Sequence, residues 1–325
     1  MSRLGKTVGA RSVLLLLLIT VLLRFGFDIG FHALISEDAL KKPEIYYAVT
    51  LLQGILVIGL PVFLFIYFLR PRYTPVLKAR LSYPPFPVAA RVVLAGIIGT
   101  FLLDIYSNLW AILLEWIGVP LWIPDVLLPS NGAQIILAVA ALAIFPAILE
   151  ELLFRGVLLE GLRGEMSLKW AVWLTAVLFA FMHGSIVGLP THLILGLVIT
   201  LLAVKQNNLQ LPMLYHFVHN AVALILSLYF RNVWESVEYS AQATQEIQAQ
   251  GLAAAIMSLF SMAALLTYLY WRLLRPLIFV SKLSNVEATT NDMPVTGRGK
   301  IITIVLICAL LLLLLPLYVR SALPA

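Results

Sequence analysis

Apolar residues come in long runs that short polar clusters interrupt. Nine such runs cover residues 12–35, 45–69, 92–117, 133–162, 169–188, 190–204, 209–230, 252–279 and 301–319. A bilayer core of about 30 Å needs about 20 helical residues to cross it, and most of the runs meet or approach that length. The pattern predicts an all-α fold, a polytopic transmembrane helical bundle of about eight or nine spans. The sixth run is short, so a tilted, re-entrant or half-buried helix is expected there. The first run carries Arg24, Asp28 and His32, so part of it is expected to face protein or the interface. No internal repeat is visible, which removes support for an inverted-repeat transporter.

The polar clusters orient the chain. Lys and Arg gather in alternate loops: Arg3, Lys6 and Arg11, then 70–91, then Arg155, Arg163 and Lys169, then Lys205, then 272–300. The intervening loops and the C-terminal end hold only Lys41, Lys42, Arg231 and Arg320. This bias predicts a cytoplasmic N-terminus and, with nine spans, an external C-terminus. The first run is longer than the apolar region of a signal peptide and no clear cleavage site follows, so a retained span is expected. The basic stretch 72–91 reads as an ordinary positive-inside loop rather than a segment lying on anionic lipid. Residues 231–250 read as an external polar segment and 281–299 as a cytoplasmic linker. Three regions result: N-terminal spans over 1–132, a core over 133–230, and the external segment, linker and last two spans over 231–325.

Composition agrees with this map. Of the 325 residues, 62% are apolar and 12% charged, whereas soluble domains are nearer half and a quarter. The composition argues against a soluble or disordered chain, and the net charge of +6 reads as topology, not as a nucleic-acid surface. The expected surroundings are the lipid bilayer, with no nucleic acid. Localisation to a prokaryotic inner membrane is the expectation, since no organelle address is visible. The lone cysteine, Cys308, lies in an apolar run and is expected to be a buried helix residue.

Ionisable groups inside spans are a functional-site hypothesis by default. Four of the five histidines, His183, His192, His216 and His219, fall close together in sequence, and Glu150-Glu151 is the only adjacent acidic pair within a span. Three helices meeting would place these groups around one conical polar pocket among the central spans. Glu151 and Arg155 share a helix face and can pair. Glu150 sits about 100° round the helix with no local partner, the situation of a carboxyl available as a general base. Pro146, four residues earlier, should kink the helix and free a carbonyl. Phe179 and His183 share a face, as do His216 and Asn220. The last two can donate hydrogen bonds to a developing oxyanion. His219 reads as a rim or packing residue, and His192 as a packing residue. On straight helices Glu150 and His183 lie about 21 Å from the cytoplasmic end and His216 about 10 Å. Neither HExxH nor GxSxG occurs, which disfavours a zincin-type metalloprotease and a serine hydrolase elbow.

Glu150-Glu151-Leu-Leu-Phe-Arg155, then Phe179-Ala-Phe-Met-His183, then His216-Phe-Val-His219-Asn220 reproduce EExxxR, FxxxH and HxxxN on successive membrane helices. In this order the motifs resemble the CAAX-protease-and-bacteriocin-processing family of intramembrane endopeptidases, which includes the type II CAAX prenyl endopeptidase. The resemblance covers about 133–230. It implies that Glu150 activates water, that His183 shares that water, and that His216 and Asn220 stabilise the oxyanion. Glu151, Arg155, Phe179 and His219 are then supporting residues. The implied substrate is a peptide or protein at the membrane, prenylated in the eukaryotic members. The family has been described both as metal-dependent and as glutamate-type. No cofactor is favoured here, and the alternative is zinc held by Glu150, His183 and His216. Two other readings stay open: a transporter or channel that uses the Glu/His cluster for protons or cations, and a non-proteolytic regulator or immunity protein of the same family.

Overall fold

The computed structural model describes residues 9–69, 74–119, 127–237, 244–279, 303–311 and 313–314. Among these residues every regular element is helical and none is a strand. The principal helices are α1 (Ala10–Leu34), α2 (Pro43–Leu69), α3 (Thr74–Arg80), α4 (Phe86–Trp116), α5 (Gly132–Arg163), α6 (Leu168–Met182), α7 (Leu189–Gln206), α8 (Gln210–Val237) and α9 (Thr244–Ile278). Six of them are long and apolar enough to cross a membrane, and α6 is a shorter apolar helix. Large apolar side chains such as Leu15, Ile19, Phe63, Phe101 and Ile136 cover the outside. In water that surface would be a liability. Around a membrane bundle it is the lipid face, and the protein is an all-α integral membrane protein.

The centre of the bundle is built from α5 to α8. The short connection between α6 and α7 makes them a hairpin, and α8 packs against α7, α5 and α4. Helices α1 and α2 pack on α5, and α9 packs on α4 and α7. Small residues set the closest approach. A Cβ at Gly96 would stand 2.9 Å from Val218, and one at Gly99 would run into the Tyr215 hydroxyl and stand 2.9 Å from the Tyr270 ring. Two glycines a turn apart on α4 thus let α8 and α9 approach it directly.

Proline shapes α5. It cannot donate to the fourth preceding carbonyl, and its ring crowds that carbonyl. The helix widens into π-helical turns at Ala140–Ile144, just before Pro146, and again at Leu152–Leu158. Turns of this kind cluster at functional sites. The Glu150-Glu151 pair lies on the α-helical stretch between them.

Several expectations are corrected. The run 169–188 is not one helix, because α6 stops at Met182 and residues 183–188 form a turn. The apolar pattern continues through Ile186, Val187 and Leu189 because the turn is part-buried against the rest of the bundle. The sixth run forms one short helix, Leu189–Gln206, that is largely enclosed, as the half-buried expectation has it. Where it is described, the polar stretch 231–250 is helical: α8 continues to Val237 and α9 starts at Thr244. The linker 281–299 and the side chain of His32 lie outside the described residues, as does part of the run 301–319. Cys308 is exposed rather than buried. A thiol behaves as a small hydrophobe, so the outer face of a membrane helix suits it as well as a core does.

The basic loop also differs from a solvated one. Arg80 on α3 is only 4% exposed. Its guanidinium binds Glu160 at 2.9 Å and the carbonyl oxygens of Arg155 and Ala203. One cation thereby ties α3 to α5 and α7. The backbone nitrogen of Leu209 donates to the Arg80 carbonyl, and the Asn208 amide donates to the Ser82 carbonyl. The start of α8 is covered by this segment.

Candidate active site

Arg155 organises the interior. It is fully buried, so each of its donors needs a partner. Nη1 bonds Glu151 Oε1 at 2.8 Å, Nε bonds Thr200 Oγ1 at 3.1 Å and Nη2 bonds the Gly196 carbonyl at 3.0 Å. Its guanidinium carbon lies 4.4 Å from the centre of the Phe179 ring, a cation–π contact. Arg155 therefore joins α5, α6 and α7 through one side chain.

The same Glu151 Oε1 lies 2.9 Å from His216 Nδ1. A carboxylate paired with Arg155 accepts hydrogen bonds, so Nδ1 carries the proton and Nε2 is left for another partner. Glu151 thus fixes the ring of His216 on α8 from its place on α5. Phe179 fills the space between the two site histidines, its ring centre 4.7 Å from that of His183 and 5.7 Å from that of His216.

Glu150 faces the other way. Its Oε2 is buried, has no hydrogen-bond partner among the described residues, and lies 3.8 Å from His183 Nε2. That separation exceeds a direct hydrogen bond and suits a bridged contact. His183 Nδ1 lies 2.8 Å from the Phe179 carbonyl. A carbonyl only accepts, so the proton is on Nδ1 and the lone pair of neutral His183 is on Nε2, towards Glu150. Glu150 and His183 are both part-exposed, with side chains 18% and 25% accessible, whereas Glu151 is sealed. Both carry an Oε2 without a hydrogen-bond partner among the described residues, yet they differ in kind: sealed Glu151 holds Arg155 and His216 through Oε1, whereas part-exposed Glu150 turns its Oε2 to His183.

The backbone around His183 is tightly specified. His183 caps α6, and Gly184 follows with φ +64, the left-handed residue that commonly ends a helix. Trp110 Nε1 donates to the Ile186 carbonyl at 2.9 Å and Ser107 Oγ to the Val187 carbonyl at 3.3 Å. On α7, Thr191 Oγ1 donates to the Leu103 carbonyl. Helix α4 thus holds the turn through three polar contacts.

Two histidines set aside in the sequence differ in outcome. The His219 ring meets Thr100 at 3.0 Å and is 9% exposed, a packing position that links α8 to α4. His192 is more than packing. Its ring stacks on that of His183, with centres 3.9 Å apart and planes 22° apart, and its buried Nδ1 has no hydrogen-bond partner among the described residues. The clue in the sequence was that His183 and His192 flank one short turn. Asn220, one turn beyond His216, is half-buried.

The unequal depths read from straight helices are reconciled, since His216 meets Glu151 directly. Asn208 and Leu209, which precede α8, are themselves buried under Arg80 and Ser82. The helix starts inside the protein, so counting from its first residue understates the depth of His216. Among the described residues no three of His, Cys, Asp and Glu are grouped as a metal site.

No curated protein and no solved structure matches the chain. One family does, over the segment that carries Glu150, Glu151, Arg155, Phe179, His183, His192, His216, His219 and Asn220. Residues 132–222, from the first turn of α5 to just past Asn220, are similar to the family described as type II CAAX prenyl endopeptidase Rce1-like.

Proposed function

We propose that the protein is an intramembrane endopeptidase that hydrolyses a peptide bond of a membrane-associated or lipid-modified substrate, prenylated substrates included. The observation that carries this reading is the buried, unpartnered Oε2 of Glu150, 3.8 Å from the lone-pair nitrogen of His183. Water held between these two atoms is polarised from both sides. Glu150 takes its proton, and the oxygen attacks the scissile carbonyl carbon. The carbonyl oxygen becomes an oxyanion. His216, through Nε2 when protonated, and Asn220, through its amide, donate to it. Glu150 then returns the proton to the leaving nitrogen as the tetrahedral intermediate collapses. Glu151 and Arg155 hold His216 and the helix crossing in place, and Phe179 spaces the two histidines.

No step in this scheme requires a metal. The zinc alternative, with Glu150, His183 and His216 as ligands, is separated by chelation: activity lost with a chelator and regained specifically with zinc would overturn the metal-free scheme. The core 133–230 is the catalytic part in this reading. The loop charges support a cytoplasmic N-terminus, and a prokaryotic inner membrane is the location assumed in this reading.

The decisive experiment compares peptides from the membranes and medium of cells carrying wild type, Glu150→Ala or His183→Ala. Both variants are expected to insert and fold but to lose cleavage. Wild-type cleavage in both would overturn the assignment.

A further inference from the structure

Arg24 lies on α1, well outside the segment matched by the family. An arginine within a membrane span is expensive and needs a reason to be there. The usual reason, an ion pair, is missing: among the described residues no carboxylate stands within salt-bridge distance of it. Asp28, one turn on, is instead engaged by the Gln53 amide. Arg24 Nη1 donates to the carbonyl of Met182, and its buried Nε has no hydrogen-bond partner among the described residues. Met182 is the last residue of α6 and immediately precedes His183.

The last carbonyls of a helix have no partner within it, and a cation there also meets the negative end of the helix dipole. Arg24 supplies both a donor and a charge at the point where α6 ends and the His183 turn begins. Its charge stands within electrostatic reach of both Glu150 and His183. On the far side of the turn Trp110 and Ser107 hold the carbonyls of Ile186 and Val187. The backbone of His183 is therefore gripped from α1 on one side and from α4 on the other.

We propose that Arg24 is a positioning residue for the hydrolysis assigned above: by holding the Met182 carbonyl it fixes His183 against Glu150, so that α1 is part of the catalytic unit. The proposal rests on the protease reading for its kinetic test and on geometry alone for its spectroscopic one. A guanidinium removed from this point frees the end of α6. His183 then drifts relative to Glu150, which slows the chemical step and leaves substrate binding intact.

The test uses the full chain in detergent or nanodiscs with wild type, Arg24→Met, Arg24→Lys and Glu150→Ala. Arg24→Met is expected to lower kcat at least tenfold with KM within twofold of wild type. Arg24→Lys, which keeps one charged donor on a long stem, is expected to recover most of the loss. With isotope-labelled histidine, the imidazole signal of His183, identified by its disappearance in His183→Gln, should move in Arg24→Met while that of His216 stays. If Arg24→Met is recovered unfolded, Arg24→Gln, shorter and uncharged, carries the same expectations. A folded Met or Gln variant with wild-type kcat and an unmoved His183 signal overturns the proposal. So does a raised KM at unchanged kcat, which would make Arg24 a substrate contact. If Glu150→Ala turns over like wild type, the protease reading falls, and the His183 signal alone decides on Arg24.

Discussion

At the scale of single residues, Glu150 and Glu151 are neighbours whose removal should do opposite things. Glu151 neutralises Arg155, and both are fully buried. Glu151→Gln leaves the guanidinium without its counter-charge, and breaking a buried pair by one partner costs about 3–5 kcal/mol. Unfolding in detergent should reveal a loss of that order, together with lost activity because His216 loses its anchor. Glu150→Gln alters a carboxyl whose Oε2 holds no hydrogen bond among the described residues and which pairs with no cation at contact distance. It is expected to abolish turnover yet leave stability within about 1 kcal/mol of wild type, in line with the stability–activity trade-off at strained sites. Equal destabilisation by the two substitutions would contradict the division of labour. Part of this was legible in the sequence. The i, i+4 spacing paired Glu151 with Arg155 and left Glu150 alone. Spacing within one helix could not show that Glu151 also binds His216 from α8, or that His192 stacks on His183, because both contacts depend on how separate helices cross.

At the scale of elements, the hydropathy pattern located the helices well and their ends poorly. Apolar residues record exclusion from water, not helicity, so a part-buried apolar turn looks like more helix. Residues 183–188 are such a turn, and the one local signal for it was Gly184. Its φ of +64 lies in the left-handed region, where a residue with a Cβ pays roughly 1–2 kcal/mol. Gly184→Ala is therefore expected to destabilise the protein by about 1 kcal/mol, but to reduce turnover by more than that figure suggests, because the strain falls on the residue after His183. Thermal unfolding beside kcat checks this. Gly132→Ala, where a Cβ would meet nothing within 4 Å and no positive φ occurs, is the control and should leave both unchanged. A fully active Gly184→Ala would show that the turn tolerates another shape. The same limit explains the basic segment before α4. Its charge pattern predicts a cytoplasmic loop, while the docking of Arg80 on Glu160 and two carbonyls depends on partners from α5 and α7 that no local pattern reveals.

At the scale of the whole molecule, the family-like segment holds the candidate catalytic groups, and helices outside it brace them. Helices α1 and α4 grip the His183 turn, α3 covers the start of α8, and α4 and α9 set where α8 lies. The last of these relations is testable by steric logic. The Tyr215 hydroxyl bonds that of Tyr270, and both rings press on Gly99 of α4. A methyl group at Gly99 would collide with the Tyr215 hydroxyl and stand 2.9 Å from the Tyr270 ring. Neither ring has slack, since Tyr215 is fully buried and Tyr270 nearly so. Overpacking of this kind costs about 1–3 kcal/mol, so Gly99→Ala should lower the unfolding temperature and, by displacing α8, weaken turnover as well. Tyr215→Phe removes the atom that the new methyl group meets first. Alone it should be mildly destabilising through the lost hydroxyl pair, about 1 kcal/mol. Combined with Gly99→Ala it should return part of the loss, so that the double variant is more stable than the sum of the single effects implies. Strict additivity would mean that α8 is not seated on α4 through this contact. Recovery of both stability and turnover would show that a glycine 51 residues before Glu150 sets the position of His216.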